Sequence, residues 1–454
     1  SVAERPCVPG PARCGVNWSF MPKPKLPRVV WATGWVSLLT DLSTEMVYGV
    51  LPALYAATLS INVAVMGLIE GIAEAVVSLT KLLAGRWSDR TGGRKWWMAG
   101  GYTLSTVSKP LLVLASGGWT VGLLRSVDRF GKGIRGAPRD ALLSREVPDT
   151  MRGRAFGVQR AMDHTGALLG AGLASLLLAT GAATVTQLFY WCALPGFLAV
   201  LVIVLFVRER ALVAEGNAAP AVLPPGEARG EGDLPAASSS AASAAVATPR
   251  VGLLAAWRGE SVALRRFLVV MALFTLGNST DMLLLALALR NFEAAGYEPA
   301  TAQAMLPLLW AGLHVVKAVS APWGGRWSDA SGRARPVVVG WLIYAAVYAC
   351  FAFGSCVAMT WACFLVYGVY YGLTEGAQQA LVADLAHDPS KRGGAYGLFH
   401  CVTGVMALPA SALCGVLWLQ FGATPAFLTG AMLALLAAML LPWALRGDAG
   451  ARAV

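Results

Sequence analysis

Gly85-Arg86-Trp87-Ser88-Asp89 occurs a second time as Gly325-Arg326-Trp327-Ser328-Asp329, and this repeated stretch decides how the chain is organised. Each copy closes a long apolar segment, and the copies lie 240 residues apart. A second pair keeps nearly the same spacing, because Ser43-Thr44-Glu45-Met46 reappears as Ser279-Thr280-Asp281-Met282. Self-similarity at a fixed period indicates a duplicated structural unit. The sequence therefore predicts two halves of similar length that share one architecture.

The composition is that of a membrane protein. The 454 residues are 56% hydrophobic and 13% charged, and the mean hydropathy is +0.59. Soluble domains contain about twice that charged fraction. The net charge of +11 would suit a nucleic-acid-binding protein, but most Lys and Arg residues stand between apolar segments and no nucleic-acid motif is present. Basic loops of a polytopic membrane protein are the better interpretation, and we expect no nucleic-acid partner.

Twelve segments are long and apolar enough to cross a bilayer, which takes about 20 helical residues. The first half contains spans 1 to 6 near 29–56, 63–85, 96–116, 119–145, 154–179 and 185–206. The second half contains spans 7 to 12 near 266–290, 302–324, 336–355, 358–385, 395–419 and 424–445. We therefore predict an all-α polytopic membrane protein with twelve transmembrane helices in two pseudo-symmetric six-helix bundles.

The domain boundaries follow from these spans. Ala218 to Thr248 is rich in Ala, Pro, Gly, Ser and Glu, so this segment cannot bury enough apolar surface to offset its ordering entropy. Residues 251–266 combine Leu and Trp with basic residues, which favours an amphipathic helix on the membrane surface. The predicted order is an N-terminal tail, a first bundle, a disordered linker, a second bundle and a C-terminal tail, at 1–28, 29–206, 207–265, 266–446 and 447–454.

Basic residues occupy alternate loops. They follow spans 2, 4, 8 and 10, where the sequence has Arg86, Arg90, Arg94, Lys95, Arg145, Arg152, Arg154, Arg333, Arg335, Lys391 and Arg392. The loops at 57–62, 117–118, 180–184, 356–357 and 420–423 contain none. Because basic loops stay in the cytoplasm, we predict a multi-pass protein of the bacterial inner membrane with both termini and the linker cytoplasmic.

The stretch from Gly85 to Lys95 resembles the G-x-x-x-D-R-x-G-R-R/K signature of the major facilitator superfamily. It is placed in the loop after span 2 and recurs after span 8, although Ala330 replaces the Arg there. The resemblance implies two bundles that rock about a central site. It also implies a gating role for the motif, with residues Gly85, Asp89, Arg90, Gly92, Arg94, Gly325 and Asp329. A tight cytoplasmic turn is the structural alternative for Gly85 to Asp89.

A narrower resemblance covers span 4. The stretch Asp128-Arg129-Phe130-Gly131-Lys132-Gly133-Ile134-Arg135-Gly136-Ala137-Pro138-Arg139-Asp140 is similar to that span in a prokaryotic subgroup of the superfamily whose substrates are mostly unassigned. In the superfamily, spans 1, 4, 7 and 10 line the cavity. The resemblance indicates a subgroup and leaves the ligand open.

Span 4 has one ionic face. At about 100° per helical residue, its bases Arg125, Arg129, Lys132, Arg135 and Arg139 fall on one side of the helix. A charge within a span costs about 2.5 to 3.5 kcal/mol, so its presence suggests a function. Arg125, Arg129 and Lys132 are candidates for binding an anionic substrate. The alternative is pairing within the half, where the available acids are Asp41, Glu45, Glu70, Glu74, Asp128, Asp140 and Asp163.

Carboxylates within the spans are candidates for proton coupling. Burial favours the neutral carboxyl group, which allows a carboxylate to exchange protons near neutral pH. The candidates are Asp41, Glu45, Glu74 and Asp281, with Glu45 first because it belongs to the repeated motif. The alternative is a structural ion pair with span 4, and we expect Arg129 to be the partner of Glu45 while Arg125 serves the substrate.

Span 10 carries hydroxyl, ring and amide groups in place of the bases of span 4. Tyr367, Tyr371 and Gln378 are the candidate substrate-binding residues on this helix, with helix packing as the alternative for at least one of its three tyrosines Tyr367, Tyr370 and Tyr371. His314 stands at the position equivalent to Glu74, where it could titrate or only donate a hydrogen bond.

The function that fits these features is secondary active transport. We expect proton-coupled movement of a small polar or anionic solute, by a monomer embedded in lipid and without a cofactor. No phosphate-binding loop, metal-ligand spacing or nucleophile motif is present, so the sequence does not indicate a pump or an enzyme. A proton-driven exporter of drugs or other toxic compounds is the main alternative, and a receptor or enzyme on a transporter fold is an alternative of another class.

Overall fold

The protein is described by a computed structural model that covers residues 26–91, 93–148, 151–207, 257–354, 356–386 and 392–446. All regular elements within these ranges are helices. The predicted tails at 1–25 and 447–454, and the predicted linker from 208 to 256, lie outside the described residues. The predicted all-α fold is confirmed.

The first half consists of six helical spans. Span 1 is Arg28–Tyr48 continued by Leu51–Ala53 and a π-helical turn Leu54–Thr58, span 2 is Val63–Thr91, span 3 is Arg94–Leu111, span 4 is Gly118–Glu146, span 5 is Arg152–Ala179, and span 6 is Val185–Trp191 with Ala193–Phe206.

The second half repeats this arrangement. Span 7 is Val262–Gly277 with Asp281–Ala294, span 8 is Pro299–Ser331, span 9 is Ala334–Phe353, span 10 is Val357–Leu385, span 11 is Arg392–Phe421, and span 12 is Ala423–Ala444.

Nine helices in the described part of the chain are long and apolar enough to cross a membrane by composition alone. The other three are spans 1, 3 and 4, which hold many of the hydroxyl and charged side chains of the first half. Such helices are stable in a bilayer only when their polar faces point into the bundle. Spans 1 and 4 are therefore where the interior chemistry of the first half is expected.

The sequence predicted that the repeated motif lies in a loop, and the structure shows that this prediction is wrong. Span 2 remains helical to Thr91 and span 8 to Ser331, so both copies form the last turns of a helix. In the first copy the chain turns afterwards at Gly93, whose φ of +62° is left-handed and suits a residue without Cβ.

Span 7 is interrupted, which the sequence did not predict. Its first helix ends at Gly277 and its second begins at Asp281, so Asn278 to Thr280 connect them without helical structure. Asn and Thr are weak helix formers that favour caps. Thr280 is the N-cap of the second helix, and its backbone N–H donates to Ser411 Oγ at 3.1 Å. The break therefore places Asp281 in the first turn of a new helix.

The two halves pack against each other along two pairs of helices. Span 2 packs along span 11, and span 5 packs along span 8. The approach is close enough to require glycine, because a Cβ at Gly71 would lie 2.9 Å from Leu408 Cα. This tight contact lies toward the loops at 59–62 and at 422. We call the side of the molecule that carries these loops the outer side.

Candidate functional site

A cavity of about 450 Å³ lies between the two halves. Spans 1 and 2 line one wall, and spans 7, 10 and 11 line the other. The lining residues lie from the middle of the spans toward the inner side, which is the side of the turn at Gly93 and of residues 332–333. The polar lining groups are Tyr48, Glu74, Ser78, Lys81, Thr275, Asn278, Ser279, Thr280, Asp281, Tyr370, Tyr371, Gln378, His400, Thr403 and Ser411.

Glu74 supplies a carboxylate from the first half. Its side chain is 46% exposed and lines the cavity, whereas Arg129 behind it is buried. Arg129 Nε lies 3.7 Å from Glu74 Oε1, which is within reach of an ion pair and too long for a hydrogen bond. Arg129 is thus a counter-charge beneath the cavity wall.

Arg125 belongs to a closed network inside the first half. Its Nε and Nη2 donate to the two carboxylate oxygens of Glu70 at 2.8 and 2.6 Å, and its Nη1 donates to Asp128 Oδ2 at 3.2 Å. Tyr55 Oη and Ser105 Oγ complete the network by donating to Glu70 and Asp128. Every guanidinium nitrogen of Arg125 is used in this conformation, so Arg125 takes the internal pairing that was the alternative to substrate binding.

The expected pair between Arg129 and Glu45 is wrong for this structure. Glu45 Oε2 instead accepts a hydrogen bond of 2.7 Å from Trp310 Nε1 of the other half. A helical wheel shows on which side of its own helix a side chain lies. It does not show how neighbouring helices are rotated, and in the structure their rotation brings Glu74 next to Arg129.

The remaining bases of span 4 have different environments. Lys132 is exposed and lies within electrostatic range of Asp41 and Glu74. Arg135 is buried with its guanidinium carbon 4.3 Å from the centroid of the Tyr102 ring. Lys132 is therefore the exposed base of the ionic face, whereas Arg125, Arg129 and Arg135 are buried.

Asp281 supplies the carboxylate of the second half. Tyr367 Oη donates to its Oδ1 at 2.8 Å, and Tyr371 Oη donates to its Oδ2 at 3.0 Å. Tyr367 and Tyr371 were predicted to bind the substrate, and Asp281 was predicted to couple protons. In the structure the two tyrosines bind Asp281. Gln378 also lines the cavity, is 7% exposed, and has no hydrogen-bond partner for Nε2 within the described ranges.

An ion pair on the second half adjoins this cluster. Lys317 Nζ lies 2.8 Å from Glu375 Oε2 and 4.7 Å from the centroid of the Tyr371 ring. Lys317 was not singled out as a candidate from the sequence. Lys317 could have been recognised from its position inside an apolar segment, because a charge within a span suggests a function.

The gating residues are described only in part. The side chains from Gly85 to Arg90, and Gly92, lie outside the described residues, and Arg94 begins span 3. Gly325 lies in the last turns of span 8, and Asp329 pairs with Arg333 of its own half. Arg333 Nε also lies 3.4 Å from Asp384 Oδ2. The second copy is therefore occupied by contacts within its own bundle.

Comparison with known proteins identifies the group to which these features belong. The family model of the Major Facilitator Superfamily matches residues 33–387 and 311–453. An uncharacterized MFS-type transporter of Methanocaldococcus jannaschii is 31% identical over 418 residues, covering 92% of this chain and 95% of the relative. An uncharacterized protein of Mycobacterium tuberculosis is 30% identical over 394 residues, covering 86% and 87%.

Solved transporter structures share the fold at low sequence identity. The crystal structure of the nucleoside transporter NupG has a TM-score of 0.73 at 12% identity and covers 92% of this chain and all of that one. A POT family transporter in complex with 5-aminolevulinic acid has a TM-score of 0.70 at 13% identity, with 92% and 96% covered. These likenesses concern the fold alone.

Proposed function

This chain belongs to the major facilitator superfamily of membrane transporters, and on that basis we propose that it is a proton-coupled secondary transporter of a small polar or anionic solute. The observation that carries the proposal is the cavity between the halves, to which each half contributes a carboxylate, Glu74 and Asp281. The superfamily implies alternating access around such a central cavity. The two relatives described above are prokaryotic and uncharacterized, in keeping with the resemblance of span 4 to a subgroup of unassigned substrate.

The chemistry of the wall supports a polar solute. Hydroxyl, amide and carboxylate groups converge from five helices, and the unpartnered Nε2 of Gln378 offers a buried donor. A buried donor without a partner costs free energy that a bound acceptor would recover. Lys81 on the wall and Lys132 beside it provide positive charge for an anionic group, although Arg125 is committed elsewhere.

Proton coupling is proposed for four of the carboxylates within the spans, Asp41, Glu45, Glu74 and Asp281. Glu74 and Asp281 face the cavity that the solute would occupy, so solute and proton can influence each other there. Glu45 bridges the halves, so its protonation bears directly on their contact. The loop charges further lead us to propose that the inner side faces the cytoplasm, so that this conformation is open inward.

A reconstitution experiment tests this function. Purified protein is first screened for thermal stabilisation against sugars, nucleosides, carboxylates and amines, because a ligand stabilises the state that it binds. The radiolabelled ligand that stabilises most is then offered to proteoliposomes with and without an imposed pH gradient. We expect uptake that the gradient accelerates and that a protonophore abolishes.

Two controls separate the parts of the proposal. Protein-free liposomes report leakage, and the Asp281→Asn variant reports gradient-driven uptake without this carboxylate. An uptake rate that is the same with and without the pH gradient would contradict proton coupling. Transport of lipophilic cations without transport of any polar compound would contradict the proposal and would favour the alternative function, an exporter of drugs or other toxic compounds.

A further inference from the structure

Trp310 on span 8 connects the two halves through its side chain. Its indole is 6% exposed, and Nε1 donates to Glu45 Oε2 on span 1 at 2.7 Å. A hydrogen bond to an ionised acceptor is roughly twice as strong as a neutral one. The Tyr48 ring, on the same helix as Glu45, packs with its centroid 5.0 Å from that of Trp310. One residue of the second half is thus held by two residues of the first.

The contact belongs to a row along one face of span 8. Ala304, Pro307 and Trp310 follow at intervals of three residues, so they lie on one side of the helix. The Ala304 carbonyl accepts from Ser175 Oγ at 2.8 Å, and a Cβ at Gly49 would lie 2.9 Å from Pro307 Cα. All three therefore contact the first half near the outer side. Trp310 is the member nearest the middle of the molecule, and its partner is ionisable.

We propose that Trp310 is the positioning residue through which Glu45 controls the closed outer side of the transporter. Ionised Glu45 accepts the indole N–H and holds the halves together, whereas neutral Glu45 is a weaker acceptor and releases them. The inference rests on the proposed proton coupling and adds the residue that converts a change at Glu45 into movement. The row on span 8 has to separate from spans 1 and 5 whenever the outer side opens.

Other charged groups surround this contact and have to be distinguished from Glu45. Asp41 on the same helix and His314 on span 8 lie within electrostatic range of Glu45. The His314 ring lies 5.0 Å from Trp310, and neither ring nitrogen has a hydrogen-bond partner in the described parts of the chain. The groups within electrostatic range of Asp41 or His314 are Asp163, His164, Lys132, Arg135, Lys317 and Glu375.

The test measures the separation of the outer side directly. Ser60 and Tyr297, in the loops before span 2 and before span 8, are replaced by spin-labelled cysteines after substitution of the eight native cysteines. Electron–electron double resonance in lipid nanodiscs then gives the distance distribution at pH 8. We expect the parent protein to show mainly the short distance of the closed outer side.

The variants assign the short distance to the hydrogen bond. Trp310→Phe keeps a ring against Tyr48 but removes the N–H, and Glu45→Gln keeps the length but removes the charge. Both are expected to shift the distribution toward a longer distance, and the double variant should add nothing. His314→Gln changes the other ring that packs against Trp310 and is the matched control that should keep the short distance.

Several outcomes would overturn the inference. A Trp310→Phe protein with the parent's distance distribution shows that the indole N–H is irrelevant, and a longer distance in His314→Gln assigns the closure to the imidazole. A Glu45→Gln protein with the parent's distance distribution also removes the inference. None of these measurements uses a solute or a gradient, so a failure of transport in proteoliposomes is recognised separately.

Discussion

The two copies of the Ser-Thr-acid-Met motif have nearly the same sequence and different structures. In span 1 the motif is part of a continuous helix, and Glu45 reaches across the interface to Trp310. In span 7 it coincides with a break in the helix, and Asp281 is held by Tyr367 and Tyr371 of its own half. One acid therefore joins the bundles while the other shapes the cavity wall.

The buried polar groups of the two halves also differ. The first half buries charges, among them Arg125, Glu70 and Asp128, in one hydrogen-bonded network. The second half contains stacked tyrosines in its interior, including Tyr344 and Tyr348 with ring centroids 4.2 Å apart. Duplication has preserved the helices, whereas the polar groups inside them have diverged. The first half therefore stabilises charges by pairing them inside the bundle, whereas the second half packs aromatic rings there.

The largest effect is expected from breaking the ionic network of the first half. Arg125→Gln leaves two buried carboxylates without their counter-charge, which costs about 3 to 5 kcal/mol. Lys317→Gln in the second half should cost much less, because its partner Glu375 is 42% exposed and can be solvated. Thermal unfolding of both variants in the same detergent checks this difference. Equal losses of stability would show that the halves do not differ in this respect.

Asp281 should matter for driven transport more than for stability. Asp281→Asn retains a side chain that can accept from Tyr367 and Tyr371 but cannot exchange a proton. We expect at least a tenfold loss of gradient-driven uptake, equivalent to about 1.4 kcal/mol, with exchange between equal solute concentrations retained. Asp281→Glu is the control that restores a carboxylate. Retention of driven uptake in Asp281→Asn would remove this residue from proton coupling.

The two copies of the gating motif should also differ. Asp89→Asn is expected to slow transport more than Asp329→Asn, because only the first copy keeps the following Arg and because Asp329 is paired with Arg333 in its own half. Initial rates of uptake at matched protein amounts measure the difference. Equal rates for both variants would mean that the second copy gates as well as the first.

The smallest effect is expected from the segment between the halves. Deleting Ala218 to Thr248 should leave folding and transport nearly unchanged, because a composition so poor in aromatic and β-branched residues has no means of packing. Size-exclusion profiles and uptake rates of the shortened protein check this. Loss of folded protein would show that the two halves depend on this connection.

The repeat and the apolar segments sufficed to predict the bundles, because a bilayer leaves the backbone almost no alternative to the helix. The prediction failed at Asn278 to Thr280, since a break stabilised by Ser411 of another span depends on a contact that is remote in sequence. It also failed to identify Trp310, whose residue type is ordinary in an apolar segment. Glu70, Glu74 and Asp128 were among the predicted partners of the span 4 bases, but which acid pairs with which base was not predicted.

The order of the amino acids is enough to predict two six-helix halves, an ionic face on span 4 and carboxylates within the spans, because helical periodicity and the cost of charge in a membrane are local properties. The packing of the helices then selects which of these charges neutralise one another and which face the cavity. Each pairing depends on how neighbouring helices rotate and slide against each other. Arg125 with Glu70, Arg129 with Glu74 and Glu45 with Trp310 are consequences of packing, which a single helix does not encode.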